Sequence, residues 1–493
     1  GSTGTADLDT GALNLNNGAI YAVELNGTTA DTQYDQIKVS GNVDLNADTG
    51  TDGATLNITF GFIPGPGDSL KIIDSTGTIS NTFKNLAEGD TVFFSGVPMQ
   101  ISYAGGDVVL SYDQTPVIQA DEFSLGDSSI FVQRVGANVV AKVGSTIVLN
   151  TPVANLTSLT IEGQTGDDTL TIDFGGGNPI PFGGLFFNGG TNTNGDTLTV
   201  NNGNFTNIVK TFTNATDGKV ELDGSTINYT GLEPVLLNVG TVQNIVFNLP
   251  GGGIDDNAVL EDDAGVLADR SQLRSTPAGM TFETTTFTNP SNSLTVNMGA
   301  SNGTFTIAAL DAGFASKNPD VTINGQGGND TITLVARTGT GTYTIDGGDA
   351  ATVDTFIGPN VNNTFNITGS NAGNLGGAGV VDFTDIEALT GGTSVDTFVF
   401  TDAGMLSGAL DGGAGTSDVL VGDSDGNAFG VTGGADQGTL TGKTSGWSEI
   451  ENITGGSGPD TFTIASGATL TGNIVGGLGE DTLEQADGDN TWT

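Results

Sequence analysis

Short runs in which apolar and polar residues alternate recur along the whole chain. Examples are Thr-Leu-Thr-Ile-Asp-Phe (169–174), Thr-Leu-Thr-Val (197–200), Thr-Ile-Thr-Leu (331–334) and Thr-Phe-Val-Phe (397–400). A period of two in Thr, Val, Ile and Phe, bounded by Gly, Asn and Asp, predicts strands with one buried face. A helical period is almost absent. The one stretch that hints at it, DDNAVLEDDAGVLADRSQLR (255–274), is poorly capped and acidic on both faces, and reads equally as a short helix or an acidic loop.

The alternating runs are themselves repeated. EALTGGTSVDTFVF (387–400) returns as ENITGGSGPDTFTI (451–464), 64 residues later. Strands headed by aspartate begin at Asp330, Asp354, Asp396, Asp418, Asp460 and Asp481, at separations of 24, 42, 22, 42 and 21 residues. The 64-residue unit therefore divides into three steps of 21–22 residues, one of which lacks the aspartate. Such a step suits one coil of a right-handed parallel β-solenoid (β-helix), with coils stacked about 4.8 Å apart. The expected class is all-β, a solenoid interrupted by less regular β segments. Phe398 and Phe462 are then expected to stack on the neighbouring coils. Gly391-Gly392, Gly455-Gly456 and Gly476-Gly477 are expected at corners that need positive φ. Upstream, LTIEGQTGDDTLTI (159–172) and VTINGQGGNDTITL (321–334) are a second pair of matching segments. Four regions follow: a β-helical end region at 1–113, a β-rich repeat segment at 114–240, an irregular segment with the acidic loop at 241–320, and the regular solenoid at 321–493. The last residues, DGDNTWT, match 425–432 and 362–368, placing Trp492 where Phe429 and Phe365 stand, so the chain is expected to stop within a repeat.

Composition narrows the chemistry. Among 493 residues there are 79 Gly, 57 Asp plus Glu, 12 Lys plus Arg, and neither Cys nor His. This excludes disulfides, thiolate or imidazole zinc sites, and histidine-dependent nucleophile systems. A net charge of −45 argues against nucleic acid as a partner, and no apolar run is long enough to span a membrane. A surface with sparse and nearly one-signed charge attracts divalent cations as counterions.

Three resemblances run along the chain. ALNLNNGAIYAVELNG, GATLNITFGFIPGPGDSLKIIDSTGTISNTFKNLAEGD and MQISYAGGDVVLSY, within 11–112, resemble the end of an autotransporter-associated β-helical repeat region of large bacterial surface proteins. TFTNATDGKVELDGSTINYTGLEP (211–234) and LEDDAGVLADRSQLRSTPAGMTFETTTFTNPSNSLTVN (260–297) resemble repeats of giant secreted bacterial proteins. IENITGGSGPDTF resembles filamentous-haemagglutinin-like and RTX-like Gly-Asp repeats. The resemblances imply an exported, surface-attached or fibrous bacterial protein with a β-solenoid body.

The RTX-like likeness implies calcium, held by Asp396, Asp418, Asp460, Asp481, Asp330 and Asp354. The sequence departs from that pattern, because Gly476 to Leu483 and Gly455 to Phe462 each fit one unit with no second unit nine residues on. An isolated half-site lacks oxygens for an ion that takes roughly six to eight. The competing reading is that each aspartate caps a turn by accepting backbone N–H groups. Coils of 21–22 residues would bring Asp396 near Asp418 and Asp460 near Asp481, where carboxylates about 5 Å apart repel unless a cation intervenes. Polysaccharide-cleaving enzymes share this fold, but only four arginines occur, and Arg270 and Arg274 sit in the acidic segment, where ion pairs are expected. A non-enzyme is expected. A flat Thr-x-Thr ladder (Thr169/Thr171, Thr197/Thr199, Thr331/Thr333, Thr461/Thr463) could bind ice or carbohydrate, but it breaks at Val399, Glu484 and Ile357.

The function expected is structural: a segment or subunit of an extracellular bacterial fibre, filament or surface layer, stacking head to tail with its own copies. The alternative is an adhesin stalk that binds glycans or other cell-surface proteins.

Overall fold

The computed structural model describes residues 7–48, 53–251, 256–265, 268–276, 281–349, 351–376 and 380–486. The chain is all-β, with long sheets of parallel strands stacked as a β-solenoid. The one α-helix among the described residues is Ala312–Lys317, opened by Asp311, whose side chain accepts from the Gly313 amide. Two compact units divide the chain: Gly1–Gly203 with Gly224–Glu233, and Asn204–Asp223 with Pro234–Thr493.

The first unit opens with three strands per winding. Asp7–Thr10, Gln36–Val39 and Ser69–Ser75 form one parallel ladder. Leu13–Asn14, Val43–Asp44 and Ile79–Ser80 form a second, and Ile20–Leu25 with Thr55–Phe60 a third. Alternation sets the interior: in Ile20–Leu25 the residues Tyr21, Val23 and Leu25 are buried while those between are exposed. Antiparallel strands Val108–Tyr112, Val97–Ser102 and Thr91–Phe94 complete the first ladder. Beyond them the unit has two ladders. One joins Val117–Gln119, Leu159–Glu162, Leu185–Asn188 and Ser225–Thr230. The other joins Ser129–Val135, Thr169–Asp173 and Asp196–Asn201.

In the second unit each winding places one strand on each of two sheets. On the first sheet Thr241–Asn248, Ser293–Asn297, Asp320–Asn324, Tyr343–Asp346 and Val381–Thr384 stack in parallel. The antiparallel strands Ala372–Leu375 and Asn363–Gly369 then carry the sheet to Asp396–Phe400, Val419–Val421, Asn452–Gly456 and Ile474–Gly477. On the second sheet Asn257–Asp262, Thr304–Ile307, Thr331–Leu334, Thr355–Ile357, Ala388–Gly392, Ala409–Gly413 and Gly446–Ser448 stack in parallel. Another antiparallel step, through Gly438–Leu440, leads to Ala428–Val431, Thr461–Ile464 and Thr482–Gln485.

Because the register is exact to the residue, inward side chains form rows. Phe305, Ile332, Phe356, Leu389, Leu410 and Trp447 are successive register partners on the second sheet, and all are buried. Each such side chain contributes about 1.5–3 kcal/mol through burial, and neither side of a single winding could supply that burial alone. Phe398 stacks on Phe365 with ring centroids 4.9 Å apart, and Phe462 on Phe429 at 5.0 Å. Their other register neighbours are Leu420 and Leu483, as a stacked solenoid requires. Polar rows exist too. Asn324 donates its side-chain amide to Asn297, and Asn297 to Asn248, each at 2.7 Å.

Four sequence expectations are corrected. Coils are not uniformly 21–22 residues: hydrogen-bonded positions on adjacent windings lie 21, 22, 24, 27 or 28 residues apart, and 33 or 40 across antiparallel insertions. The two 64-residue copies are not equivalent corners of one edge. Ala388–Gly392 and Asp396–Phe400 lie on the second and first sheets, whereas Asn452–Gly456 and Thr461–Ile464 lie on the first and second. The unit therefore alternates between faces, because 64 residues carry the chain a half-integral number of windings. The described residues of the segment 255–274 hold no helix, and apart from Asp256 loop is confined to 263–265 and 268–269. Asn257–Asp262 and Arg270–Ser275 pair as an antiparallel hairpin, because Ala258 and Leu260 alternate with polar residues and face Ser275 and Leu273. There Arg274 Nε lies 2.6 Å from Glu261, the ion pair anticipated in this segment. Of the six paired glycines, only Gly456 and Gly477 have positive φ. The expected counterpart Trp492 lies outside the described residues.

Candidate functional site: a buried aspartate ladder

Five of the six strand-heading aspartates, Asp330, Asp354, Asp396, Asp418 and Asp460, are buried and Asp481 is exposed; each carboxylate reaches along the stack to the backbone of the preceding winding. Asp354 Oδ1 accepts from the Asp330 amide at 2.7 Å, and Asp330 Oδ1 from the Gly303 amide at 2.7 Å. Asp418 Oδ1 accepts from the Asp396 amide at 2.7 Å, and Asp481 Oδ1 from the Asp460 amide at 3.0 Å. So Asp330 and Asp354, Asp396 and Asp418, and Asp460 and Asp481 are brought together in pairs. The three pairs are not one row. The first and third belong to the second sheet and the middle pair to the first.

The step that lacked an aspartate is filled by other residues. Glu387 accepts from the Asp354 amide at 2.8 Å and Glu451 from the Asp418 amide at 2.7 Å. Glu387 is long enough to take the Asn371 side-chain amide as well, at 2.6 Å. At the opposite end, Asn363 and Asn427 give Asp396 and Asp460 both a backbone amide and a side-chain amide, at 2.7–2.9 Å. A complete ladder therefore reads Asn, Asp, Asp, Glu, as in Asn363, Asp396, Asp418 and Glu451. In the first unit the same device links Ser128 to Asp168 and Asp168 to Asp196, at 2.7 Å each. Sequence reasoning gave no role to Asp168, Asp196, Glu387, Glu451, Asn363 or Asn427. The signal was available, since Glu387 and Glu451 open the 64-residue copies and Asp168 matches Asp330 in the other pair of segments.

A glycine five residues before the aspartate completes the corner. A Cβ on Gly455 would lie 2.2 Å from Asp460 Oδ2 and 2.2 Å from the Gly476 carbonyl oxygen of the next winding. On Gly391 it would lie 2.4 Å from Asp396 Oδ2 and 2.3 Å from the Gly412 carbonyl. Gly163 and Gly325 stand in the same relation to Asp168 and Asp330. These glycines are required by close approach, not by backbone sign.

On four rungs one oxygen is left over, whereas Asp354 Oδ2 accepts from the Thr352 hydroxyl at 3.1 Å and Asp396 Oδ2 from the Gly392 amide of its own turn at 2.6 Å. The Oδ2 atoms of Asp168, Asp330, Asp418 and Asp460 are buried with no hydrogen-bond partner among the described residues. Burial pushes Asp330 up to about 7 and Asp168, Asp354 and Asp418 up to about 6, against the amide bonds that pull the other way. Neighbouring carboxylates add to the rise: Asp354 for Asp330, Asp196 for Asp168, Glu387 for Asp354 and Glu451 for Asp418. Asp396 is raised by burial too.

This geometry does not fit calcium. The ion takes roughly six to eight oxygens at about 2.3–2.6 Å. Here Oδ1 is occupied by an N–H whose hydrogen points at it, and Oδ2 faces a glycine Cα where even a methyl would collide. A second acidic group, Asp402, Asp423 and Asp425, has oxygens within 4.8 Å of one another. Its cation is the Lys443 ammonium, which pairs with Asp423 and donates to the Asp402 carbonyl at 2.9 Å. The Ser424 hydroxyl and amide hold the Asp402 carboxyl below its usual range.

Outward threonines do form rows, though short ones. Thr304, Thr331 and Thr355 are register partners, as are Thr295, Thr322 and Thr344, and the second position breaks where Thr333 meets Ile357. Compared with known proteins, the chain matches no family model, and no curated protein matches it closely enough to be a relative.

Proposed function

We propose that the protein is structural: a stiff β-solenoid segment of an extracellular bacterial fibre, filament or surface layer. The observation that supports this best is the use made of its buried polar groups. Asp330, Asp354, Asp396, Asp418 and Asp460 are all spent on the backbone amides of adjacent windings or held by them, so the polar interior binds winding to winding. In this reading copies of the chain associate end to end, winding stacked on winding. Light scattering over a concentration series, with negative-stain imaging, tests the assembly. Concentration-dependent growth in one direction supports it, and a strict monomer at every concentration rules it out. The threonine rows favour one second reading, a glycan-binding stalk, which a reproducible sugar preference on a glycan array would support.

A further inference from the structure

One core row of the second unit contains a charge. Lys210 occupies an inward position of strand Asn204–Phe212, between Ile208 and Phe212, and its register partner is Phe247. Its ammonium contacts Glu283, and neither side chain has any exposed surface. A chain of four contacting phenylalanines begins at the lysine. Lys210 Nζ lies 4.1 Å from the Phe212 ring centroid, Phe212 lies 4.7 Å from Phe282 and 6.2 Å from Phe247, and Phe247 lies 5.1 Å from Phe287. A buried ion pair is weak evidence for stability, since apolar residues of similar size often serve as well. The remaining positions of this row, Phe247, Val296, Ile323 and Ile345, are all apolar.

We propose that Lys210 and Glu283 are a self-cross-linking site, joined by an amide between Nζ and Cδ. In this step the neutral amine attacks Cδ of the acid form of Glu283. The Nζ–Cδ bond forms, the Cδ–OH bond breaks, and the hydroxyl leaves with one amine proton as water; no oxidant or further reactant is needed. Three features favour it. The reacting groups are already in contact, which replaces a bimolecular encounter by a positioned one. A lysine desolvated among apolar groups is an activated nucleophile. Complete burial of both side chains keeps out the water that would reverse the reaction. Burial pushes both groups toward their neutral forms, bringing Lys210 down to about 8 and Glu283 up to about 7, and the Asp217 charge adds to the rise of Glu283. The bond would tie positions 73 residues apart.

The experiment is the intact mass of the denatured full chain after incubation at neutral pH until the value is constant, with peptide mapping. A mass one water below that of the sequence, resistance to trypsin after Lys210, and one branched peptide containing Lys210 and Glu283 are expected. Lys210→Met and Glu283→Leu should each restore the full mass. A wild-type chain at full mass, cleaved normally after Lys210, means a plain ion pair and overturns the proposal. So does a water loss that persists in Lys210→Met. The wild-type measurement decides even where a variant fails to fold.

Discussion

Replacing Asp418 by asparagine should stabilise the protein at pH 8 and change little at pH 4.5. Asp418 has no exposed surface, and its carboxyl is pushed from an ordinary 3.8 up to about 6, chiefly by burial and then by Glu451 and Asp396. A carboxyl whose folded value is raised binds its proton more tightly in the folded state. Its stabilising contribution is complete below the unfolded value near 4 and is lost as pH rises through about 6. Two units correspond to about 3 kcal/mol at most, and rungs in contact titrate as a set and share that figure. Asparagine keeps an oxygen for the Asp396 amide and puts an N–H where Oδ2 stands without a partner. The fold already uses asparagine this way, because the side-chain amides of Asn363 and Asn427 donate to the next carboxylate. Asp418→Leu differs: it removes the acceptor from a buried amide and should cost about 1–3 kcal/mol at both pH values. Thermal melting of the three proteins from pH 4.5 to 8.5 reads this directly. The wild-type melting temperature should fall across pH 5–8, and the fall should be shallower in Asp418→Asn. If Asp418→Asn is destabilised at pH 8 as much as Asp418→Leu, the rung is a carboxylate that needs its charge, and the reasoning fails.

Three further outcomes follow from the same geometry. Gly455→Ala, which sets a methyl against Asp460 Oδ2 and the Gly476 carbonyl, should cost about 1–3 kcal/mol as overpacking. Gly467→Ala, with open space around it but φ of +80°, should cost only about 1 kcal/mol, and chemical denaturation ranks the two. Phe398→Ala should remove about 3–5 kcal/mol, because its ring is buried and stacked between Phe365 and Leu420, and a denaturant midpoint measures this. Millimolar calcium should leave the melting temperature where an equal ionic strength of sodium leaves it, since Oδ1 of each rung is engaged by an amide and Oδ2 is packed against a glycine Cα; a clear calcium-specific rise would contradict the ladder geometry.

Local pattern determined a great deal of this protein. Alternation in runs such as Thr-Ile-Thr-Leu fixed which face of each strand is buried, because successive side chains on a strand point opposite ways. Repetition fixed that the strands stack, and the pairing of Asp396 with Asp418 and of Asp460 with Asp481 followed from coil length alone. Which residues share a rung was decided only in three dimensions. The antiparallel insertions at 363–384 and 428–448 change the length of a winding without changing the corner chemistry, so spacing placed Asp354 and Asp396 on one edge when they lie on different sheets. The work of the aspartates was hidden for the same reason. A carboxylate that caps its own turn and one that caps the preceding winding have the same neighbours in sequence, and only the stack, by bringing a buried amide to Oδ1 and a glycine Cα to Oδ2, tells them apart.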